Sequence, residues 1–354
     1  MMTAAVTSLQ RVLTALDHRE PDRVPFFLLA TLHGARELDL SVREYFDRPE
    51  HVVEGQLRLR AKYRHDCLSG FFYGPMDVEA WGGEVVFAED GPPNSGSPFL
   101  KDAETIRILE VPKVRESRCL RKVLDALKML KDKASGQAPI LGVVISPFSL
   151  PVMQMGFESY LELLFNQPEL FDHLMRLNEE FCVEWANAQL EAGATAICYF
   201  DPVSSPSIVP KALYLKTGNV IAKRTVARIK GPVAIHLASG RCLPILDCIA
   251  QSGMIAVGVS AAEDLGIVKA ACDRKLAVMG NLNGIEMRRW TPLNAEAKVK
   301  EAITKAGPGG GFILTDNHGE IPPQVSEEIL MAVSEAVHRW GRYPLDWMEG
   351  YGPE

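Results

Sequence analysis

The chain has 354 residues, 47% of them hydrophobic and 23% charged, and a formal net charge of −7. This composition supplies a large core and excludes wholesale disorder. The negative balance speaks against a nucleic-acid binder, which carries a basic domain or stripe. No apolar run reaches the roughly 20 residues that a membrane helix needs. The opening MMTAAVTSLQRVLTALDHREPDRV gains charge before a signal-peptide core can form, so a cytoplasmic protein is expected. The seven cysteines form an odd set without a CxxC pair, which argues against a disulfide framework or a four-cysteine zinc knuckle.

In chain order, short apolar or β-branched runs alternate with longer amphipathic segments. The short runs are VPFFLLA (24–30), CLSGFF (67–72), APILGVVI (138–145), ATAICYFD (194–201), PVAIHLAS (232–239), MIAVGVS (254–260), LAVMGNL (276–282) and GFILTDN (311–317). Helices are expected over 118–133, over 157–191 with Pro168 opening a second segment, and over 325–340. The longest loop-like stretch is AEDGPPNSGSP (88–98). Eight continuous apolar strands separated by helices predict an α/β protein, a single (β/α)8 TIM barrel over 1–354 with residues 1–23 as an N-terminal helical extension. An open doubly wound sheet is disfavoured because no G-x-G-x-x-G follows the first strand.

A barrel carries its chemistry on the loops after the strand carboxyl ends. Those positions hold His33, Phe72-Tyr73, Asp77, Ser146 to Phe148, Asp201, His236, Asn281, Asn283 and the segment TDNHGEIPP (315–323). Asp316, Asn317, His318 and Glu320 crowd into five positions there, more than packing requires, although a polar turn capping the next helix is the plain alternative. His236 sits in an apolar strand, where it is either a core histidine or a ligand. Together His236 and His318 offer two imidazoles to a zinc ion, with Asp201, Asp316, Glu320 or Cys242 as a third donor. Asp201 is a candidate for orienting a histidine or acting as general base, or else a turn aspartate.

Several stretches together resemble the uroporphyrinogen decarboxylase superfamily: ALDHREPDRVPF (15–26), MDVEAWGGEVVFAEDGPP (76–93), SPFSLPVMQMGFESYLELLFNQPEL (146–170), LEAGATAICYFDPVSSPSIVPKAL (190–213) and MGNLNGIEMRRWTP (279–292). The resemblance covers nearly the whole chain and is strongest to the methyltransferase branch, the methylcobamide:coenzyme M methyltransferases and their relatives. It implies a single barrel. True decarboxylases carry an R-Q-A-G-R segment that grips the porphyrinogen carboxylates, whereas LLATLHGARELDL (28–40) has one arginine, Arg36. In the thiol-methylating branch a His-x-Cys pair and a later cysteine hold zinc. Here His236 is kept, Ala238 replaces the first cysteine and His318 stands at the second.

The resemblance therefore implies a corrinoid-dependent methyltransferase. Its expected reaction is O-demethylation, moving a methyl group from a methoxylated aromatic to the Co(I) corrinoid of a separate carrier protein. The alternatives are a methylcobamide-to-thiol methyltransferase and a uroporphyrinogen-decarboxylase-like lyase. His236, His318, Asp201, Asp316 and Glu320 are the expected catalytic set. His236 and His318 are the expected metal ligands, with Cys242 one candidate for an open third place and zinc the candidate metal. Phe72, Tyr73, Phe148, Asn281, Asn283 and Asn317 are expected to bind substrate.

Overall fold

The computed structural model describes residues 5–316 and 319–350. Seven parallel strands form one sheet whose spatial order follows the chain: β1 (Leu68–Ser69), β2 (Ile140–Ile145), β3 (Ala196–Phe200), β4 (Val233–His236), β5 (Ala256–Gly258), β6 (Ala277–Leu282) and β7 (Phe312–Asp316). Parallel neighbours need crossovers, and helices supply them. The principal ones are α3 (Pro49–Tyr63), α4 (Arg118–Ala134), α5 (Pro168–Ala192), α6 (Pro292–Ala306) and α7 (Glu327–Trp340), preceded by α1 (Ser8–Leu16) and α2 (Thr31–Glu37). Pro168 opens α5 at its first turn, as its fixed φ favours, and Gly193 ends it at φ 132°. Thr291 and Asn294 form a reciprocal capping box at the start of α6. Part of the expected loop at 88–98 is instead ordered, with Asn94–Ser95 pairing antiparallel to Val85–Val86.

The closed eight-stranded barrel is corrected to an open, curled parallel sheet. The first expected strand, at residues 24–30, does not join the ladder. It lies extended between the two sheet edges with one isolated bridge, Phe26 to Leu314. Leu314 N–H donates to Pro25 O at 2.9 Å and Phe27 N–H donates to Leu314 O at 2.9 Å, while Asp66 N–H donates to Phe26 O at 2.7 Å on the other side. Pro25 has no N–H to give, and β1 is two residues long, so neither edge can extend the pairing.

Side chains alternate between the two faces of a strand, and the register carries one parity across the whole sheet. Val143, Cys198, Ala234 and Ala256 are successive partners, as are Gly258, Met279 and Ile313, and then Asn281 and Thr315. This is the concave face. The opposite parity, including Val144, Tyr199, Ile235, Val257, Val278 and Leu314, is fully buried in the main core. At the amino-terminal end of the concave face, Val12 and Leu16 of α1 pack on Cys67, Leu141, Met279, Ile313 and Phe27. The expected helical extension thus plugs one end of the curled sheet.

Candidate functional site

The carboxyl ends of the strands leave the concave face partly open. Leu29, Phe71, Phe200, His236 and Asn281 remain half-buried there, although their neighbours on the opposite parity are enclosed. His236 ends β4 and lies over the ring of Phe200 at a centroid distance of 5.8 Å and an interplanar angle of 23°. Gly258, its neighbour in the sheet, makes room for it: a Cβ there would stand 2.9 Å from the His236 Cδ2.

The chain turns sharply after β4, placing Ala238 at φ 51°, a left-handed conformation costly for a residue with a Cβ. That turn brings the Ala238 N–H to His236 Nδ1 at 3.0 Å. A ring nitrogen that accepts a backbone N–H is unprotonated, so the neutral imidazole carries its proton on Nε2. The described geometry makes His236 a hydrogen-bond donor at Nε2.

Asp201 follows β3 and is fully buried. Its carboxylate accepts the hydroxyls of Ser146 (2.6 Å), Ser149 (2.7 Å) and Ser204 (2.5 Å). Burial pushes its pKa up while the three hydroxyls pull it back. The link to His236 is through the backbone, Asp201 N–H donating to His236 O at 2.9 Å. The expectation that its carboxylate orients an imidazole is therefore corrected: it ties the β2 and β3 loops together.

Asp316 and Glu320 are brought together at the end of β7, and both grip the segment before α2. Leu29 N–H donates to Asp316 Oδ1 at 3.2 Å and Leu32 N–H donates to Glu320 Oε1 at 2.7 Å. The second bond caps α2, whose own N-cap residue, Ala30, has no side-chain acceptor. Burial pushes Asp316 up to about 7, and burial together with the Asp316 charge pushes Glu320 up to about 8. Asp316 belongs to the buried parity and is 3% exposed, so the pair acts first as a proton-holding anchor.

The aromatic expectations are corrected. Phe148 is fully buried against Tyr160 and Phe171. Phe72 is stacked on Phe46 at 5.7 Å, and Tyr73 donates its hydroxyl to Glu79 at 2.7 Å. All three build core rather than a wall for substrate. The rings on the concave face are Phe27, Phe71 and Phe200, and strand parity is the signal that identifies them. Asn281 does lie on that face, its Nδ2 donating to Ser260 O at 3.0 Å and Glu263 O at 3.2 Å. Asn283 accepts the Ile285 and Glu286 amides at 3.2 and 3.1 Å and shapes its own turn. Asn317 and His318 lie outside the described residues.

Of the expected zinc ligands, His236 and Cys242 are described and His318 is not. Among the described residues no three His, Cys, Asp or Glu side chains are grouped to hold a metal ion. Cys242 is fully buried, its backbone N–H held by Glu263 Oε2 at 2.9 Å, and burial drives the thiol far above its usual range. His236 presents an N–H rather than a lone pair.

Residues 7–340 match the uroporphyrinogen decarboxylase (URO-D) family, and the chain belongs to that family. It is 26% identical over 351 residues to the uroporphyrinogen decarboxylase of Thioalkalivibrio sulfidiphilus, covering 94% of this chain and 97% of that one. It is 28% identical over 304 residues to that of Nitrosospira multiformis, covering 83% and 82%. Its fold matches a methyltransferase from Methanosarcina mazei with a TM-score of 0.84 at 21% identity, over 95% of this chain and 99% of that one. A B12-independent methionine synthase from Shewanella sp. W3-18-1 shares the fold more distantly, with a TM-score of 0.51 at 12% identity, over 82% and 85%. The likeness to the methyltransferase is one of fold, whereas the sequence relatives are uroporphyrinogen decarboxylases. Among the described residues no helix is long and apolar enough to cross a membrane.

Proposed function

We propose that this chain is a methyl-transfer enzyme in which His236 donates a proton to the atom that loses its methyl group. The observation that carries this reading is the Ala238 N–H on His236 Nδ1, which keeps the proton on Nε2 at the open end of the concave face. An ether or amine leaves poorly unless its developing negative charge is neutralised, and a positioned acid contributes roughly 10²- to 10⁴-fold. Phe71 and Phe200 give the donor an apolar setting suited to a methoxylated ring. Asn281 supplies a polar contact. A corrinoid held by a separate carrier protein supplies the methyl-accepting nucleophile when docked at this end.

The URO-D-like lyase is the second reading, and the identity of the curated relatives favours it. The same N–H could protonate the carbon that loses carbon dioxide. Against a polycarboxylate substrate stands Arg36, the sole arginine of 28–40, which spends Nη1 on the carbonyl of Pro323 at 2.8 Å. The thiol-accepting reaction of the family relies on a cysteine-rich zinc site, and Ala238 stands where the first of those cysteines would be.

Incubating the protein with Co(I) corrinoid and a panel of methoxyaromatics, methylamines and methylated thiols tests the proposal. Methyl-Co(III) formation that falls at least 100-fold in His236→Asn supports it. Release of carbon dioxide from uroporphyrinogen with no methyl-cobalt signal overturns it in favour of the lyase.

A further inference from the structure

A second cavity, of about 600 Å³, lies at the opposite end of the sheet. Its walls come from the segment before Val24, the residues leading into β1, and the carboxyl ends of α3 and α7. All of these stand at the amino-terminal side of the strands, away from His236. Five arginines face it, against one wall carboxylate, Asp22, and Asp66 behind.

The two carboxylates are already committed. Asp66 accepts Arg11 Nη1 at 2.7 Å, Arg23 Nη1 at 2.8 Å and Nη2 at 3.0 Å, and the Phe26 N–H at 2.9 Å. Asp22 accepts Arg11 Nε at 2.7 Å and Nη2 at 2.6 Å. The other three guanidiniums, Arg60, Arg64 and Arg342, have no ion pair among the described residues. Arg60 spends one donor on Ser8 Oγ at 3.1 Å, and Arg342 spends Nε on His338 O at 3.2 Å. A guanidinium has five donors, so most of theirs remain for something else.

Two buried atoms on the same wall lack hydrogen-bond partners: Arg60 Nε and His65 Nδ1. His65 is 3% exposed and is held between the edges of Phe26 and Phe27, at 6.4 and 5.9 Å. Buried polar groups are normally satisfied. The unsatisfied Arg60 Nε together with three uncompensated cations in one cavity points to an absent anionic ligand, while His65, kept neutral by burial, adds no charge.

We propose that this cavity binds a small phosphate-bearing anion, of the phosphomonoester or diphosphate class. Guanidinium forks match the tetrahedral oxygens of phosphate in pairs. Three unpaired positive charges call for a multiply charged oxyanion, which a monocarboxylate is not. The volume falls in the range of about 300–1,000 Å³ that small-molecule sites occupy.

Titration calorimetry and thermal melting of the full chain test this, with pyrophosphate and inorganic phosphate as probes and chloride added to hold ionic strength constant. Saturable stabilisation is expected, stronger with pyrophosphate. It should weaken at least tenfold in Arg64→Gln and Arg342→Gln, both exposed positions that leave the core intact, and in Arg60→Gln. His236→Asn should bind pyrophosphate as the unaltered protein does, which separates this site from the proposed methyl-transfer centre. Stabilisation that follows ionic strength alone, or persists undiminished in Arg64→Gln and Arg342→Gln, overturns the proposal. So does saturation by citrate or malonate without any response to the phosphates.

Discussion

Asp66 and Phe26 hold one another twice. The Asp66 N–H donates to Phe26 O at 2.7 Å, and Asp66 Oδ2 accepts the Phe26 N–H at 2.9 Å. This reciprocal pair fastens the extended segment to one edge of the sheet, while the Phe26–Leu314 bridge fastens it to the other. Asp66→Asn keeps the backbone bond but leaves Arg11 and Arg23 buried without their shared charge. Breaking a buried pair in this way costs about 3–5 kcal/mol, to be read as a lowered urea midpoint.

The same carboxylate sets an acid limit. Despite its burial, the charges of Arg23 and Arg11 hold the Asp66 pKa below the usual aspartate value. A group depressed on folding stabilises above its unfolded pKa, about 3.9, and loses that contribution as pH falls through the folded value. Unfolding followed by circular dichroism from pH 5 downward should show a loss of stability that Asp66→Asn lacks.

Asp316 and Glu320 act in the opposite direction. Their folded pKa values lie near 7 and 8, above those of the unfolded chain, so the folded state binds more protons across the interval. Stability from this pair is complete below about pH 4 and declines as pH rises towards 8. Glu320→Gln keeps an acceptor for the Leu32 N–H and removes the repulsion. It should be more stable than the unaltered protein by about 1 kcal/mol at pH 8.5, with no gain at pH 4. Melting temperatures at the two pH values decide this.

Gly258 offers a way to move His236 without replacing it. In Gly258→Ala the new Cβ meets Cδ2 at 2.9 Å, so the ring must tilt off Phe200. A displacement of about 1 Å costs on the order of 100-fold in rate when a reacting group is misplaced. Methyl-transfer assays should show that loss with an unchanged far-ultraviolet spectrum.

Val12 tests the role of α1. It is 5% exposed and packs on Cys67 and Ile313. Val12→Ala removes two carbon atoms from that contact and should cost about 2 kcal/mol, counting the cavity it leaves. Chemical denaturation measures it.

Much of the architecture was legible because apolar runs and helical periodicity report burial directly. Seven of the eight expected runs are strands, and Pro168 begins a helix. The exception, at 24–30, failed on a property that periodicity does not register: Pro25 withholds a donor, and β1 is too short to accept a ladder. Site residues were less legible because strand-end position does not tell which way a side chain faces. Phe72 and Phe148 adjoin the strand ends yet turn into the core, whereas Phe200 and His236 share the concave parity. The tautomer of His236 depends on a turn at Ala238 that no local motif announces. Asp201 was conspicuous in sequence, but two of its three serine partners, Ser146 and Ser149, lie 55 and 52 residues away along the chain and hide its structural task.

The end of the sheet stoppered by Val12 and Leu16 makes traffic single-ended. Whatever enters past His236 must depart by the same doorway. A carrier seated over that doorway would trap both reactants, and turnover would wait on its departure.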